Sequence, residues 1–286
     1  MSKAVPAPLA AIRDILVGTA IESERPETAC AVGYGLTLAR AADAHLTVQS
    51  AAWRLTGDDA WLGAFDLDGV AAIDRRLDAL ARSVADRAAG DAAQAGLVCT
   101  VETPSLPFPE IVDRLAKQAR LHDLTVLDAG VRTYDIDREI VERALFVSGR
   151  PVIAVPPGIE TFSARRIVVA WDGSAQAARA ANDALPFLRA ADVVAIVCVA
   201  DAEDLHASVP GAEFAPHLAR HGVAVTVVDV PVAEGIAETL CNQARMLRAD
   251  LIVAGAYRHS PIREFFFGGV TRALLRGSPA ALFLAH

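Results

Sequence analysis

Long apolar runs are missing from this 286-residue chain. Its greasiest stretches, such as Val193 to Ala200, are strand-sized, far short of the roughly 20 residues that cross a bilayer as a helix. A membrane-spanning protein is excluded on that reading. The opening residues, MSKAVPAPLAAIRDILVG, lack the uninterrupted apolar core of a secretory signal and read as a loose arm. Clustered positive charge is lacking too. A formal net charge of −8 with no basic stripe argues against a general nucleic-acid binder, because neutralising phosphates needs grouped Lys and Arg. Cysteine pairs are absent: Cys30, Cys99, Cys198 and Cys241 form no Cys-x-x-Cys, a usage that predicts a cytoplasmic protein. Aromatic residues make up only 6% against 53% hydrophobic and 22% charged, so the cores are built from Ala, Val and Leu.

What is present is a repeat. RDILVGTA (Arg13 to Ala20) matches RRIVVAWD (Arg165 to Asp172), and LAKQARLHDLTVLDAG (Leu115 to Gly130) matches LCNQARMLRADLIVAGA (Leu240 to Ala256). GRPVIAVP near residue 150 matches GSPAALFLAH at the end. Matches kept in one order indicate a duplicated unit. Each half alternates Val- and Ile-rich runs with segments of helical period. Strands are expected at Ile15–Thr19, Leu46–Ala52, Leu97–Glu102, Leu124–Asp128 and Val152–Val155, then at Ile167–Trp171, Val193–Val199, Val223–Asp229, Leu251–Gly255 and Ala281–Ala285. Runs without polar alternation are strands covered on both faces, as in a parallel sheet between helices. The expected fold is α/β, two tandem doubly wound five-stranded parallel sheets, with domains at 1–157 and 158–286 joined through PPGIETFSAR (Pro156 to Arg165). The first half carries an extra segment, Trp53 to Ile73, before a long helix expected from about Asp74 to Ala95. Nothing in its chemistry assigns it a role.

In an open parallel sheet, ligands sit beyond the carboxyl ends of the strands, where helix N-termini present N–H groups. In the second half those ends read WDGS (Trp171 to Ser174) and GAYRHSPIREFFFGGVT (Gly255 to Thr271). The second spaces Gly255, two residues, Arg258, nine residues, then Gly268 and Gly269 ahead of a helix beginning near Val270. On these residues and on the repeat, the whole chain resembles a tandem universal stress protein, a family whose nucleotide-binding members carry Gly-x-x-Gly, nine residues, Gly, then Ser or Thr. The resemblance implies a stress-response binding and signalling protein without committed catalysis, at most a weak ATP hydrolase. It also implies an ATP site, with magnesium, in the second half. An Asp after the first strand would contact adenine, the end of the second strand would pack on the base, and the glycine loop would wrap ribose and phosphates. Here these positions are Ala170, Trp171, Asp172, Val199, Gly255, Ala256, Arg258, His259, Gly268, Gly269, Val270 and Thr271. It further implies that the fifth strands pair across a two-fold axis within the one chain, and that the protein self-associates as a homodimer.

Two positions depart from the family pattern: Arg258 replaces its second glycine, and Gly269 its hydroxyl residue. A side chain forced to positive φ at 258 would cost about 1–2 kcal/mol, whereas a guanidinium there is also a charge-assisted phosphate donor. Arg258 thus either closes the cradle or completes it. Phe265 to Phe267 are expected to anchor the loop. The first half departs further. Ala20 stands where the second half has Asp172, and Asp128 where it has Gly255, so one site per chain is expected. If the cradle is disabled, the alternative is a non-nucleotide-binding stress or scaffold protein of the same fold. A remoter reading takes AFDLDGVAAI as a haloacid-dehalogenase-like phosphatase signature with Asp66 as nucleophile and Asp68 as acid, but no buried strand leads into it and an acidic loop is the simpler reading. His217 and His221, one helical turn apart with His206 upstream, have two-ligand metal spacing but no evident third ligand. Ser174 reads as a helix N-cap, and the Gly-x-Gly-x-x-Gly dinucleotide fingerprint follows no strand.

Overall fold

The computed structural model of the chain describes residues 9–21, 30–55, 67–129, 136–201, 210–256 and 269–286. The first half runs β1 (Asp14–Ile21), α1 (Cys30–Ala42), β2 (His45–Trp53), α2 (Leu67–Gln94), β3 (Cys99–Glu102), a two-residue β4 (Ser105–Leu106), α3 (Phe108–Ala119), β5 (Leu124–Asp128), α4 (Ile136–Ser148) and β6 (Val152–Val155). The second runs β7 (Arg166–Ala170), α5 (Ala175–Asp183), α6 (Leu185–Ala190), β8 (Val193–Ala200), α7 (Pro210–Arg220), β9 (Val225–Pro231), α8 (Ile236–Met246), β10 (Leu251–Gly255), α9 (Gly269–Gly277) and β11 (Ala281–Ala285).

All the strands join one sheet in the order β3-β2-β1-β5-β6-β11-β10-β7-β8-β9, with β4 beside β2. From the middle outward the two sides read alike, which is how a duplicated chain folds about a pseudo-two-fold axis. Pairing is parallel everywhere except between β6 and β11, where Ala154, Ile153 and Val152 face Leu282, Phe283 and Leu284 in antiparallel register. The fifth strands therefore pair across the axis as expected.

Successive strand residues point to opposite faces. Ile15, Val17, Ile153, Ile167, Val169 and Phe283 face a layer containing α1, α5, α6 and α7, while Leu16, Val152, Val168, Ile252 and Leu282 face α3, α4, α8 and α9. Both cores run without interruption across the seam between the halves. A chain of rings crosses the first layer. Phe283 meets Phe187 edge-on at 5.6 Å, Phe187 meets Phe162 at 5.9 Å, and Phe162 meets Tyr34 at 5.6 Å. Phe162 belongs to the linker, which is laid along α1: Gly158 N donates to Cys30 Sγ at 3.3 Å and Phe162 N to Thr37 Oγ1 at 2.8 Å.

The repeat also reuses a carboxylate clamp. Asp123 Oδ2, ahead of β5, accepts from the backbone N–H groups of Arg13 and Asp14 at 2.7 and 3.1 Å. Asp250 Oδ2, ahead of β10, accepts from Arg165 and Arg166 at 3.0 and 2.9 Å. Each ties the fourth strand of its half to the start of the first.

Several boundaries differ from the sequence expectation. β3 begins at Cys99 and β9 at Val225, two residues late, because Leu97 N and Val223 N turn back to the carbonyls of Ala92 and Leu218 over left-handed Gly96 and Gly222. This is the Schellman closure of the preceding helix, which consumes those donors. α2 begins at Leu67 rather than Asp74, so Asp68 lies in a first helical turn, where the helix dipole favours a carboxylate, and not in a loop. β7 stops at Ala170, although Trp171 N still donates to Val197 O at 2.9 Å.

Phe283 is fully buried at the seam, so Phe283→Ala should destabilise the whole chain by about 3–5 kcal/mol. Urea unfolding followed by circular dichroism measures the difference.

Candidate functional site

The carboxyl ends of β7, β8 and β10 and the N-termini of α5 and α9 define the site in the second half. After β7 the chain turns through exposed Asp172 and through Gly173 at φ +73°. Asp172 Oδ1 accepts from Ser174 N at 3.0 Å, and Ser174 Oγ accepts from Ala177 N at 3.1 Å as the N-cap of α5. Two side chains thus fold the WDGS segment tightly enough to set Asp172 at the mouth of the sheet. Val199 lies half-buried near the end of β8 and packs on the core of the second layer.

Gly255 closes β10 against the start of α5. A Cβ built there would lie 2.5 Å from Ala177 N and 2.6 Å from Gln176 C, distances only a glycine avoids. The next residue, Ala256, is buried. Its N–H donates to Ala285 O at 2.8 Å and its carbonyl oxygen lies 2.9 Å from His286 Nδ1, which prolongs the sheet pairing past both strands. Across the mouth, Gly269 and Val270 open α9 exposed to solvent, while Thr271 is buried and turned toward the core. No acidic residue occupies the first turn of α9, so its N-terminal N–H groups meet no opposing carboxylate from their own turn. Arg258, His259, Gly268 and the phenylalanines Phe265 to Phe267 lie outside the described residues.

Trp171 and Ala170 sit behind this mouth. The Trp171 ring stacks on Phe214 of α7, with centroids 3.9 Å apart and planes 8° apart, and Phe214 in turn stacks on His217 at 5.3 Å. The indole is therefore part of the packing between β7 and α7. Ala170 points to the opposite face, against the second layer.

The first half answers the same geometry with different chemistry. Where the second half has Gly255 pressed on α5, Asp128 ends β5, and its Oδ1 accepts from Ala31 N in the first turn described for α1 at 2.9 Å. The first half thus holds its own carboxylate at the helix end where the second leaves room for nothing but backbone. Ala20, buried at the end of β1, stands in the place of Asp172.

The other sequence candidates are separated from the site or from each other. Asp66 lies outside the described residues, and Asp68 sits in the first turn of α2. His217 and His221 lie on α7 with ring centroids 4.8 Å apart. Their nitrogens are engaged elsewhere: His217 Nε2 lies 3.0 Å from Asn182 Oδ1, and Arg189 Nη2 lies 3.2 Å from His221 Nδ1. Among the described residues no group of three or more His, Cys, Asp or Glu side chains could hold a metal ion. All four thiols are shifted upward, chiefly by burial. Cys198, beside Asp229 and the Gly211 backbone, is pushed up to about 12. None has the lowered value a cysteine nucleophile needs.

Sequence reasoning placed Asp172, Gly255 and Gly269 at one mouth. It missed the role of Gln176 and Ala177, whose backbone forms the wall facing Gly255. The signal for that wall is three-dimensional, since it joins residues far apart in the chain.

Comparison with known proteins follows the same division. Residues 163–286 match the model of the universal stress protein family. A universal stress protein from Archaeoglobus fulgidus superposes over 95% of this chain and 97% of its own, with a TM-score of 0.69 at 16% identity. A functionally unknown protein from Pseudomonas aeruginosa PAO1 superposes over 98% of this chain and 94% of its own, with a TM-score of 0.58 at 14% identity. No curated protein matches the chain. Residues 163–286 are therefore similar to the universal stress protein family, and the chain as a whole has the fold of the Archaeoglobus fulgidus universal stress protein.

Gly255→Ala should force the start of α5 away from β10 and destabilise the chain by about 1–3 kcal/mol. Ser174→Ala, which removes only the cap, should cost about 1 kcal/mol. Both are read from the shift of the urea midpoint.

Proposed function

We propose that the second half binds one adenine nucleotide, ATP with magnesium, and that the first half binds none. The observation that supports this reading is the contrast at the fourth-strand ends: backbone-only contact at Gly255, against a helix-capping carboxylate at Asp128. An anionic ligand at the second-half mouth meets the N-terminus of α9, with Gly269 and Val270 exposed, a setting that favours phosphate. At the first-half position it would meet Asp128, and like charges at close range repel.

The residues present suit the nucleotide. Asp172, exposed and held by the Ser174 turn, serves as the acceptor for the adenine amino group. Val199 offers apolar surface to the base. The N–H groups of Gly269 and Val270 take the phosphates, and magnesium supplies charge neutralisation there. Among the described residues, the mouth offers acceptors, donors and apolar surface but no activated nucleophile. The role is therefore binding and signalling in the cytoplasm, with occupancy as the signal.

Calorimetric titration of the full chain with ATP and magnesium should give saturable heat fitting one site per chain. Asp172→Ala should weaken binding about tenfold, equivalent to about 1.4 kcal/mol, whereas Asp128→Ala should leave it unchanged. A folded wild-type chain that gives no heat at millimolar ATP would refute the proposal.

A further inference from the structure

The two halves end their fourth and fifth strands in the same register: Asp128 stands opposite Val155, and Gly255 opposite Ala285. One residue further on, the backbone bond is repeated as well, Ala129 N to Val155 O and Ala256 N to Ala285 O, both at 2.8 Å. The residues that follow the fifth strands then differ. The first half has Pro156 and the second His286.

That difference falls on a carbonyl. His286 Nδ1 lies 2.9 Å from Ala256 O. A carbonyl oxygen only accepts, so Nδ1 carries the proton, and in the neutral ring Nε2 is the bare nitrogen. Proline has no side-chain donor, so Pro156 cannot hold the Ala129 carbonyl in this way.

The imidazole is itself held from the other half. Phe146, on α4, meets it edge-on, with ring centroids 4.6 Å apart and planes at 74°, an arrangement that aromatic rings favour. Both rings lie at the surface, Phe146 being 43% exposed, and neither fills the core. Their contact joins a helix of the first half to the end of β10, where the mouth of the second half begins.

We infer that His286 is a positioning residue of the second-half mouth: its Nδ1–H, steadied by the Phe146 ring, fixes the Ala256 carbonyl and so the line on which the chain leaves β10. The inference rests on the nucleotide reading of this mouth. Gly255 is pressed on the start of α5, and both polar backbone groups of Ala256 are engaged. The end of β10 is thus ordered before a ligand arrives, and a site ordered in advance loses less entropy on binding. The clasp is the part of the site that needs both halves.

The full chain is tested in two ways. Long-range nitrogen–proton spectra of the free protein at about pH 8, above the ordinary histidine value, should show neutral His286 protonated on Nδ1. In calorimetric titrations with ATP and magnesium, His286→Ala should weaken binding about fivefold, the net worth of one hydrogen bond. His286→Asn, whose amide nitrogen reaches the place of Nδ1, should stay within about twofold of wild type, and Phe146→Ala should lie between the two. Urea midpoints should stay close to wild type at these surface positions. The inference is overturned by a neutral ring protonated on Nε2, by ATP binding unchanged in His286→Ala, or by equal losses in His286→Ala and His286→Asn. Each of those results leaves the nucleotide reading standing. A wild-type chain that binds no ATP removes that reading, and the inference falls with it.

Discussion

The antiparallel pairing of β6 with β11 is the constraint from which the rest of the architecture follows. Ile153 opposite Phe283 marks the pseudo-two-fold axis, and everything on one side has its counterpart on the other. Because that pairing is a backbone ladder flanked by fully buried side chains, the two sheets become one, and each helical layer packs on a core that crosses the seam. Removing it would expose two edge strands made wholly of Val, Ile, Leu, Phe and Ala, a template for aggregation. The linker follows from the same constraint. To join halves that run in opposite directions it must travel over α1, and Phe162 turns that passage into packing between Tyr34 and Phe187.

Symmetry at the level of backbone leaves the side chains free to diverge. Both halves keep the Asp clamp that ties the fourth strand to the first. At the opposite ends of those strands they part. Gly255 brings β10 against the start of α5, and Asp128 instead ties β5 to Ala31 by a hydrogen bond to the helix N–H. A carboxylate in that position satisfies one of the orphan donors of the helix and places negative charge at its positive end. The chemistry that stabilises the first half is thus the chemistry that disfavours an anionic ligand there. A duplicated fold can hold one copy for stability and the other for binding without altering the topology of either.

Much of this was legible in the sequence because it is local or periodic. Continuous Val and Ile runs announced strands covered on both faces, and the matched Gln-Ala-Arg and Asp-Leu segments announced the repeat. Asp172 and Gly255 were found by position within that repeat, and Ser174 by the ordinary chemistry of caps. What could not be read depends on where a chain turns back on itself or meets a distant segment. Leu97 and Val223 look like strand residues and are spent closing helices. Leu67 to Ile73 reads as part of an insertion ahead of Asp74, yet the helix absorbs it, since a carboxylate such as Asp68 in the first turn is favourable. The wall that Gln176 and Ala177 present to Gly255, and the chain of rings from Tyr34 to Phe283, join residues that sequence spacing does not relate.

The central claim is that duplication has produced one nucleotide site and one self-capped counterpart. Native mass spectrometry of the full chain with ATP and magnesium counts ligands per molecule directly. The account predicts a single added nucleotide per chain, retained when Asp128 is replaced by alanine. Two nucleotides per wild-type chain, or none, would contradict it.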